Sequence, residues 1–262
     1  MEQDVRVIVY DEPGIKFCEP LPNDWHLPGL ELRNQASEQG IEMLGEHEVN
    51  ETPPDFALYF DALLRPQHPP KHKYSLYIAL EPGVVGMQQR FYDRIKGWDY
   101  TRILTFSRKH VDEKRVFSSP FPVPPYPQNT INPPTSQICA ITANKRSDHP
   151  AELYTARLEI YNGFGKTLDL WGKGWENEHL RHIVNYRGPC ENNYETYKQY
   201  SLATCIENQW IEGFASEKYW TPLRAGCSFA CHVGWTPDYP FEDTNVGWAR
   251  NIVRHIREVA QC

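Results

Sequence analysis

Short apolar runs alternate with polar, proline-rich segments along the chain, as expected of buried strands and their connections. The runs with strand character in the first half are Val5–Tyr10, Phe56–Phe60, Tyr74–Leu80 and Thr101–Phe106. Between them, Leu30–Leu44 and Phe91–Trp98 have apolar positions at helical spacing. The pattern therefore predicts a first series of alternating strands and helices.

Proline becomes dense near the middle of the chain. Seven of the fifteen residues from Pro120 to Pro134 are proline. Proline fixes φ and lacks an N–H donor, so this stretch is neither a helix nor a central strand. We interpret it as an interdomain linker, which divides the chain into domains at 1–125 and 126–245 and a terminal helix at 246–262.

A second alternating series follows this linker. Its predicted strands are Gln137–Thr142, Leu168–Trp171, Tyr200–Ile206 and Cys227–Val233, and its predicted helices are Pro150–Lys166, Ser216–Arg224 and the amphipathic Val246–Val259. Two such series predict the α/β class with two Rossmann-like domains, in which ligands bind at the carboxyl ends of the strands.

Composition narrows the possible functions. The 262 residues have a formal net charge of −7, which argues against a nucleic-acid-binding protein, since such proteins normally have a positive binding face. No apolar run approaches the roughly 18 residues of a transmembrane helix, and the N-terminus has no signal-peptide pattern. The seven cysteines match no dense disulfide framework. We expect a cytoplasmic protein with reduced thiols.

The segment Tyr200–Gly226 contains the most informative chemistry. A strand runs into Glu207, and a short loop leads to a helix whose first residues are Ser216, Glu217 and Lys218. A helix N-terminus favours a phosphate, and a lysine beside it adds a full positive charge. A carboxylate can accept both hydrogen bonds of a ribose diol. The pattern predicts a nucleoside diphosphate site, although an acidic first turn and a solvated lysine are also ordinary helix chemistry.

This segment resembles the α1,3-fucosyltransferases of glycosyltransferase family 10, which have the order Glu-Asn, a short loop, Thr-Glu-Lys and then Ala-Gly. The matching positions are Tyr200, Glu207, Asn208, Glu217, Lys218, Ala225 and Gly226. Upstream, Asn144, Arg157 and Gly172 match in order, so the resemblance covers roughly residues 137–235. Ser216 replaces the threonine, Phe214 replaces a tyrosine, and the Val-Pro-Val that commonly follows Ala-Gly is absent.

The resemblance implies a GT-B-like fold, with two Rossmann-like domains facing a central cleft, and an inverting transfer of L-fucose from GDP-fucose to a glycan hydroxyl. It implies that Arg157 and Lys218 bind the donor diphosphate and that Glu217 binds the ribose. The residues that it implies for the rest of the donor site are Asn208, Phe214, Ser216 and Asn144. We expect no cofactor and no metal, since no pair of acidic metal ligands stands out in a suitable loop.

An inverting transferase needs a carboxylate that takes the proton of the acceptor hydroxyl. By the same resemblance this residue is Glu81, which follows the apolar run ending at Leu80 and precedes Pro82 and Gly83. A carboxylate at the carboxyl end of a strand faces the ligand side of the sheet. An ordinary turn glutamate is the alternative interpretation, and Asp11 and Glu12 are the reserve candidates.

Three other functions stay open from the sequence. The donor can be another nucleotide sugar, and a non-catalytic glycan- or nucleotide-binding protein can have the same fold. A Rossmann methyltransferase would need a glycine-rich loop after the first strand, where the chain has only Gly14. Family members in animals are anchored by an N-terminal membrane helix that this chain lacks, so we expect a bacterial or viral enzyme.

Overall fold

The computed structural model describes residues 5–10, 26–45, 48–49, 54–60, 72–80, 99–176 and 178–261. The chain forms two compact units: Met1–Pro124 together with Asp238–Cys262, and Pro125–Pro237. Each unit contains a sheet in which all paired strands are parallel. This confirms the predicted α/β class with two Rossmann-like sheets.

The described residues contain the following strands and helices. The strands are β1 Val5–Tyr10, β2 Ile41–Gly45, β3 Phe56–Phe60, β4 Tyr74–Ile78, β5 Arg102–Thr105, β6 Val116–Ser118, β7 Ile138–Ile141, β8 Leu168–Trp171, β9 Asn185–Gly188, β10 Leu202–Ile206 and β11 Ser228–Val233. The α-helices are α1 Leu27–Glu38, α2 Tyr154–Phe164, α3 Leu180–Ile183, α4 Asn193–Tyr197, α5 Glu217–Arg224 and α6 Val246–Ala260. None of these helices has the length and apolar character needed to span a membrane.

The first unit is built on a six-stranded sheet with the order β2-β1-β3-β4-β5-β6. Its core forms where the apolar face of the sheet meets α1 and α6, with Leu58 and Leu76 packed against Leu32 and Ile252. Fully burying one such side chain stabilises the fold by about 1.5–3 kcal/mol. Residues 238–262 thus belong to the first unit. The division inferred from the sequence instead assigned 126–245 to the second domain and treated 246–262 as a separate terminal helix.

One predicted helix of the first unit is wrong in its extent. Leu30–Leu44 was expected as one helical segment, but α1 ends at Glu38 and the same apolar pattern continues into β2. Gly40 lies between the two elements with φ of 65°, a left-handed conformation that favours glycine and reverses the chain there. The predicted helix Phe91–Trp98 lies outside the described residues.

The second unit has a five-stranded sheet with the order β11-β10-β7-β8-β9. The chain proceeds outward from β7 to β8 and β9, then returns to the other side of β7 for β10 and β11. This is the strand order of a Rossmann half, and its topological switch point lies between β7 and β10. Ligands in such sheets bind outside the carboxyl ends of the two strands at that point. The boundary between the units, at Pro124 and Pro125, falls inside the predicted linker.

Candidate active site

An open pocket of about 240 Å³ lies at the switch point of the second unit. Its wall includes the residues that follow three neighbouring strands: Thr142, Ala143 and Lys145 after β7, Gly172 and Lys173 after β8, and Asn208 after β10. Gly172 has φ of 128°, and a Cβ there would lie 2.0 Å from the carbonyl oxygen of Thr142. Glycine therefore permits the close approach of the two turns that form this part of the wall.

Arg157 enters the pocket wall from the buried face of α2. The buried residues of this helix are Tyr154, Arg157 and Tyr161, so the arginine occupies a position on the stripe that faces the sheet. Only 2% of its surface is exposed. A cation is rarely buried to this extent unless it has a partner. A charged residue on the apolar stripe of a helix is thus a sequence signal of a functional position.

The hydrogen-bond partners of Arg157 are carbonyl groups and an amide, and its guanidinium lies 5.2 Å from the ring centroid of Tyr154. Its Nη2 atom donates to the main-chain oxygen of Ile206 at 2.8 Å, to that of Glu207 at 3.3 Å and to Oδ1 of Asn208 at 3.3 Å. The Nε atom is buried and has no hydrogen-bond partner among the described residues. In the same part of the chain, no carboxylate lies within ion-pair distance of Arg157. The positive charge is buried and has no ion-pair partner among the described residues, which makes this position suited to an anion.

Ser216, which the sequence analysis placed in the first turn of this helix, is the N-cap of α5, and the helix begins at Glu217. The Oγ of Ser216 accepts from the amide of Lys218 and donates to the carboxylate of Glu207, 2.8 Å from Oε2. The amide of Ser216 also donates to Glu207, at 2.8 Å from Oε1. Burial raises the pKa of the Glu207 carboxyl. Glu207, which the resemblance marked without a role, orients the first turn of α5.

These contacts change the expected role of the helix amides. The sequence analysis placed a phosphate on the open N–H groups at the start of this helix. Instead, the amide of Ser216 bonds to Glu207, that of Lys218 bonds to the Ser216 hydroxyl, and that of Tyr219 bonds to the Ser216 carbonyl at 3.1 Å. Protein groups already satisfy these three donors, so side-chain cations have a larger part in anion binding than the sequence analysis expected.

Glu217 and Lys218 both line the pocket and form an ion pair, with Nζ 2.6 Å from Oε1. Burial lowers the pKa of the lysine, but the carboxylates of Glu217 and Glu207 outweigh it and hold that pKa above its usual range. Burial likewise raises the pKa of Glu217, but the ammonium of Lys218 outweighs it and holds that pKa below its usual range. Both groups are charged at neutral pH.

The pocket wall is strongly cationic although the chain is acidic. Lys145, Arg157, Lys173 and Lys218 line it, against one carboxylate, Glu217. The sequence analysis missed Lys145 and Lys173, which are both exposed. Their positions in the sequence could have indicated them, because each follows the carboxyl end of a strand next to the switch point. Positive charge is therefore concentrated at this pocket, although the net charge of the whole chain is −7.

The structure brings together only part of the predicted donor site. Arg157, Asn208, Glu217 and Lys218 share the pocket wall. The other three lie outside that wall: Phe214 and Ser216 are buried, and Asn144 donates its side-chain amide to the carbonyl of Gly174 at 2.9 Å. The predicted base Glu81 lies outside the described residues, as do the reserve candidates Asp11 and Glu12.

No group of three or more histidine, cysteine, aspartate or glutamate side chains in the described part of the chain has the arrangement of a metal site. The carboxylates near the pocket have other partners. Glu207 accepts from Ser216, and Glu217 is paired with Lys218. The chemistry that these residues offer is therefore the binding of a polyanion and of hydroxyl groups.

No protein-family model and no curated protein sequence matches the chain. Among solved structures, it is similar to Anabaena Alr3699/HepE in complex with UDP and glucose (TM-score 0.45, 9% identity, covering 98% of this chain and 91% of that one). It is similar to an α-glucosyltransferase in complex with UDP and DNA (TM-score 0.45, 10% identity, 99% and 91%) and to Acinetobacter baumannii MurG (TM-score 0.39, 9% identity, 97% and 95%). Because all three TM-scores are below 0.5, these likenesses carry no weight for the fold or the function of this chain.

Proposed function

We propose that the chain is a glycosyltransferase that binds a nucleotide-activated sugar in the pocket of its second unit. The observation that supports this most is Arg157, a buried cation in the pocket wall with no carboxylate partner among the described residues. A diphosphate supplies the missing negative charge, and the buried Nε–H is a donor suited to one of its oxygens. Glu217 lines the same pocket and accepts the hydroxyl groups of the ribose.

The proposed chemistry follows from these charges. When the sugar leaves its donor, negative charge develops on the departing nucleoside diphosphate. Cations that are already in place stabilise this charge without reorganisation, which lowers the barrier to transfer. Lys218 exchanges part of its contact with Glu217 for a phosphate oxygen, and the freed carboxylate oxygen of Glu217 turns to the ribose. The ligand thus supplies new partners for both charged groups of the ion pair.

The finer assignment rests on the resemblance to family 10. It comprises a GT-B-like enzyme that transfers L-fucose from GDP-fucose to a glycan hydroxyl with inversion, and Glu81 as the base that takes the proton of the acceptor hydroxyl. The cations of the pocket bind a diphosphate whatever base it bears, so another nucleotide sugar fits them equally well. A glycan acceptor is part of this proposal, and nucleic acid is not.

A thermal-shift screen against GDP, UDP, CDP and dTDP tests the general proposal. A ligand that binds only the folded state raises the stability by about 2.7 kcal/mol at a concentration 100 times its Kd. We expect one of the four nucleotides to raise the Tm well above the others. A Tm that none of them changes would remove the transferase assignment, and a response to a nucleotide other than GDP would remove the fucose assignment alone.

The base is tested with the donor that this screen selects. We expect Glu81→Gln to lower turnover by about 10²–10⁴-fold, the usual contribution of a general base. The affinity for the donor should change by less than about twofold, because the proposed donor contacts all belong to the second unit. Turnover at the wild-type rate in this variant would show that Glu81 is not the base.

A further inference from the structure

Two lysines at the edge of the pocket have no role in the proposal so far. Lys145 follows β7 and Lys173 follows β8, and both residues line the pocket. The turns that hold them are tied together, because the amide of Asn144 donates to the carbonyl of Lys173 at 2.9 Å and its side chain donates to that of Gly174 at 2.9 Å. These hydrogen bonds therefore fix the two lysine-containing turns relative to each other at the carboxyl edge of the sheet.

Neither lysine has a carboxylate within ion-pair distance in the described ranges. Lys218 differs, since Glu217 compensates it at 2.6 Å. Within the described part of the chain, three cations of the wall thus have no ion-pair partner, and one of them, Arg157, is buried with its Nε–H lacking a hydrogen-bond partner there. The negative charge of a monophosphate is too small to balance these three cations, whereas the charge of a diphosphate comes close to balancing them.

We infer that Lys145 and Lys173 bind the outer phosphate of a diphosphate ligand and make the pocket selective for diphosphates over monophosphates. The assignment of the outer phosphate rests on the proposed function, in which Glu217 on α5 binds the ribose. The inner phosphate then lies with Arg157 and Lys218, and the group farther from the ribose meets the lysines after β7 and β8. In a transfer reaction this is the phosphate that bears the sugar, so both lysines also stabilise the leaving group.

Calorimetric titration of the double variant Lys145→Ala/Lys173→Ala tests the inference. The probes are the nucleoside diphosphate selected by the thermal-shift screen and the monophosphate of the same nucleoside. We expect the variant to bind the diphosphate about tenfold more weakly than the wild type, and the monophosphate less than about twofold more weakly. Both lysines are exposed, so an unchanged Tm is expected for the variant.

Two matched variants sharpen this test. Lys198→Ala also removes a lysine of the second unit, but the half-buried Lys198 pairs with Glu195 and lies over the ring of Tyr194, outside the pocket wall, so neither affinity should change. Lys145→Arg/Lys173→Arg retains both charges and should restore most of the selectivity. An equal loss for the two nucleotides in the alanine variant, or no loss for either, would overturn the inference.

Inorganic pyrophosphate and orthophosphate separate this inference from the proposed function, because neither contains a nucleoside. We expect pyrophosphate to raise the Tm of the wild type more than orthophosphate does at equal ionic strength, and this difference should vanish in the alanine variant. If that pattern holds while no nucleoside diphosphate binds, the inference stands and the proposed function fails. A wild type that responds to neither pyrophosphate nor any nucleotide overturns both.

Discussion

Two arginines of this chain meet opposite electrostatic surroundings. Arg102 in β5 of the first unit donates to Glu258 and, at 2.7 Å, contacts Nδ1 of His255, both on α6. Arg157 in α2 of the second unit is more deeply buried and contacts neutral oxygens and the ring of Tyr154, with no carboxylate within ion-pair distance among the described residues. The first arrangement is complete within the protein and joins a strand to a helix. The second arrangement needs an anion to balance its charge, so we assign Arg157 to ligand binding.

The largest effect that tests this comparison is expected for Arg157→Met. Loss of the charge-assisted hydrogen bonds to phosphate should raise the Kd for the nucleoside diphosphate by about 100-fold, measured by calorimetry. The free energy of unfolding should stay within about 1 kcal/mol, because removal of a buried charge offsets the lost bonds to carbonyls. A variant that unfolds readily but retains its affinity for the nucleotide would show that Arg157 is structural.

A smaller effect is expected from His255, which faces the first arginine. Burial, and then the charges of Arg254 and Arg102, lower its pKa from 6.5 to about 4, while Glu258 acts in the opposite direction. A base with a depressed pKa binds fewer protons in the folded state than in the unfolded state between these two values. Stability is therefore lost as the pH falls from about 6.5 towards 4, by about 2 kcal/mol.

This pH dependence is measured by chemical denaturation at pH 7 and at pH 4.5. In His255→Leu, the difference in unfolding free energy between the two pH values should shrink by about 2 kcal/mol relative to the wild type. An equal difference in both proteins would mean that other groups cause the acid destabilisation.

The smallest effect is expected for Arg102→Met, the counterpart of the Arg157 variant. The ion pair with Glu258 is partly exposed, so its loss should lower the free energy of unfolding by only about 1 kcal/mol. The Kd for the nucleotide should not change, because Arg102 belongs to the other unit. A weakened affinity in this variant would blur the distinction between a structural and a binding arginine.

The fold was predictable where buried positions produce a regular apolar pattern in the sequence. Strands such as Phe56–Phe60, which is buried throughout, and the amphipathic helix Val246–Ala260 followed from apolar spacing. Val116–Ser118 and Asn185–Gly188 did not, because each is the edge strand of its sheet and buries fewer apolar side chains. The return of α6 to the first unit depends on contacts between distant residues, which no local pattern contains.

The candidate site was predictable in part. The resemblance to family 10 named Arg157 and Lys218, and the two residues do share a pocket wall. It did not name Lys145 or Lys173, since a lysine after a strand is usual on any surface. It also did not reveal that Glu207 accepts from the amide of Ser216 and that Ser216 accepts from the amide of Lys218, because those contacts depend on how the loop between β10 and α5 folds back.

The central claim is that the guanidinium of Arg157 contacts the phosphate of a nucleotide. The Nε–H resonance of this residue, identified by its absence from the nitrogen-15 spectrum of Arg157→Met, reports that contact directly. We predict that the nucleoside diphosphate selected by the thermal-shift screen shifts this resonance and slows its exchange with water. A nucleotide that binds while the Arg157 resonance stays unchanged would contradict the account.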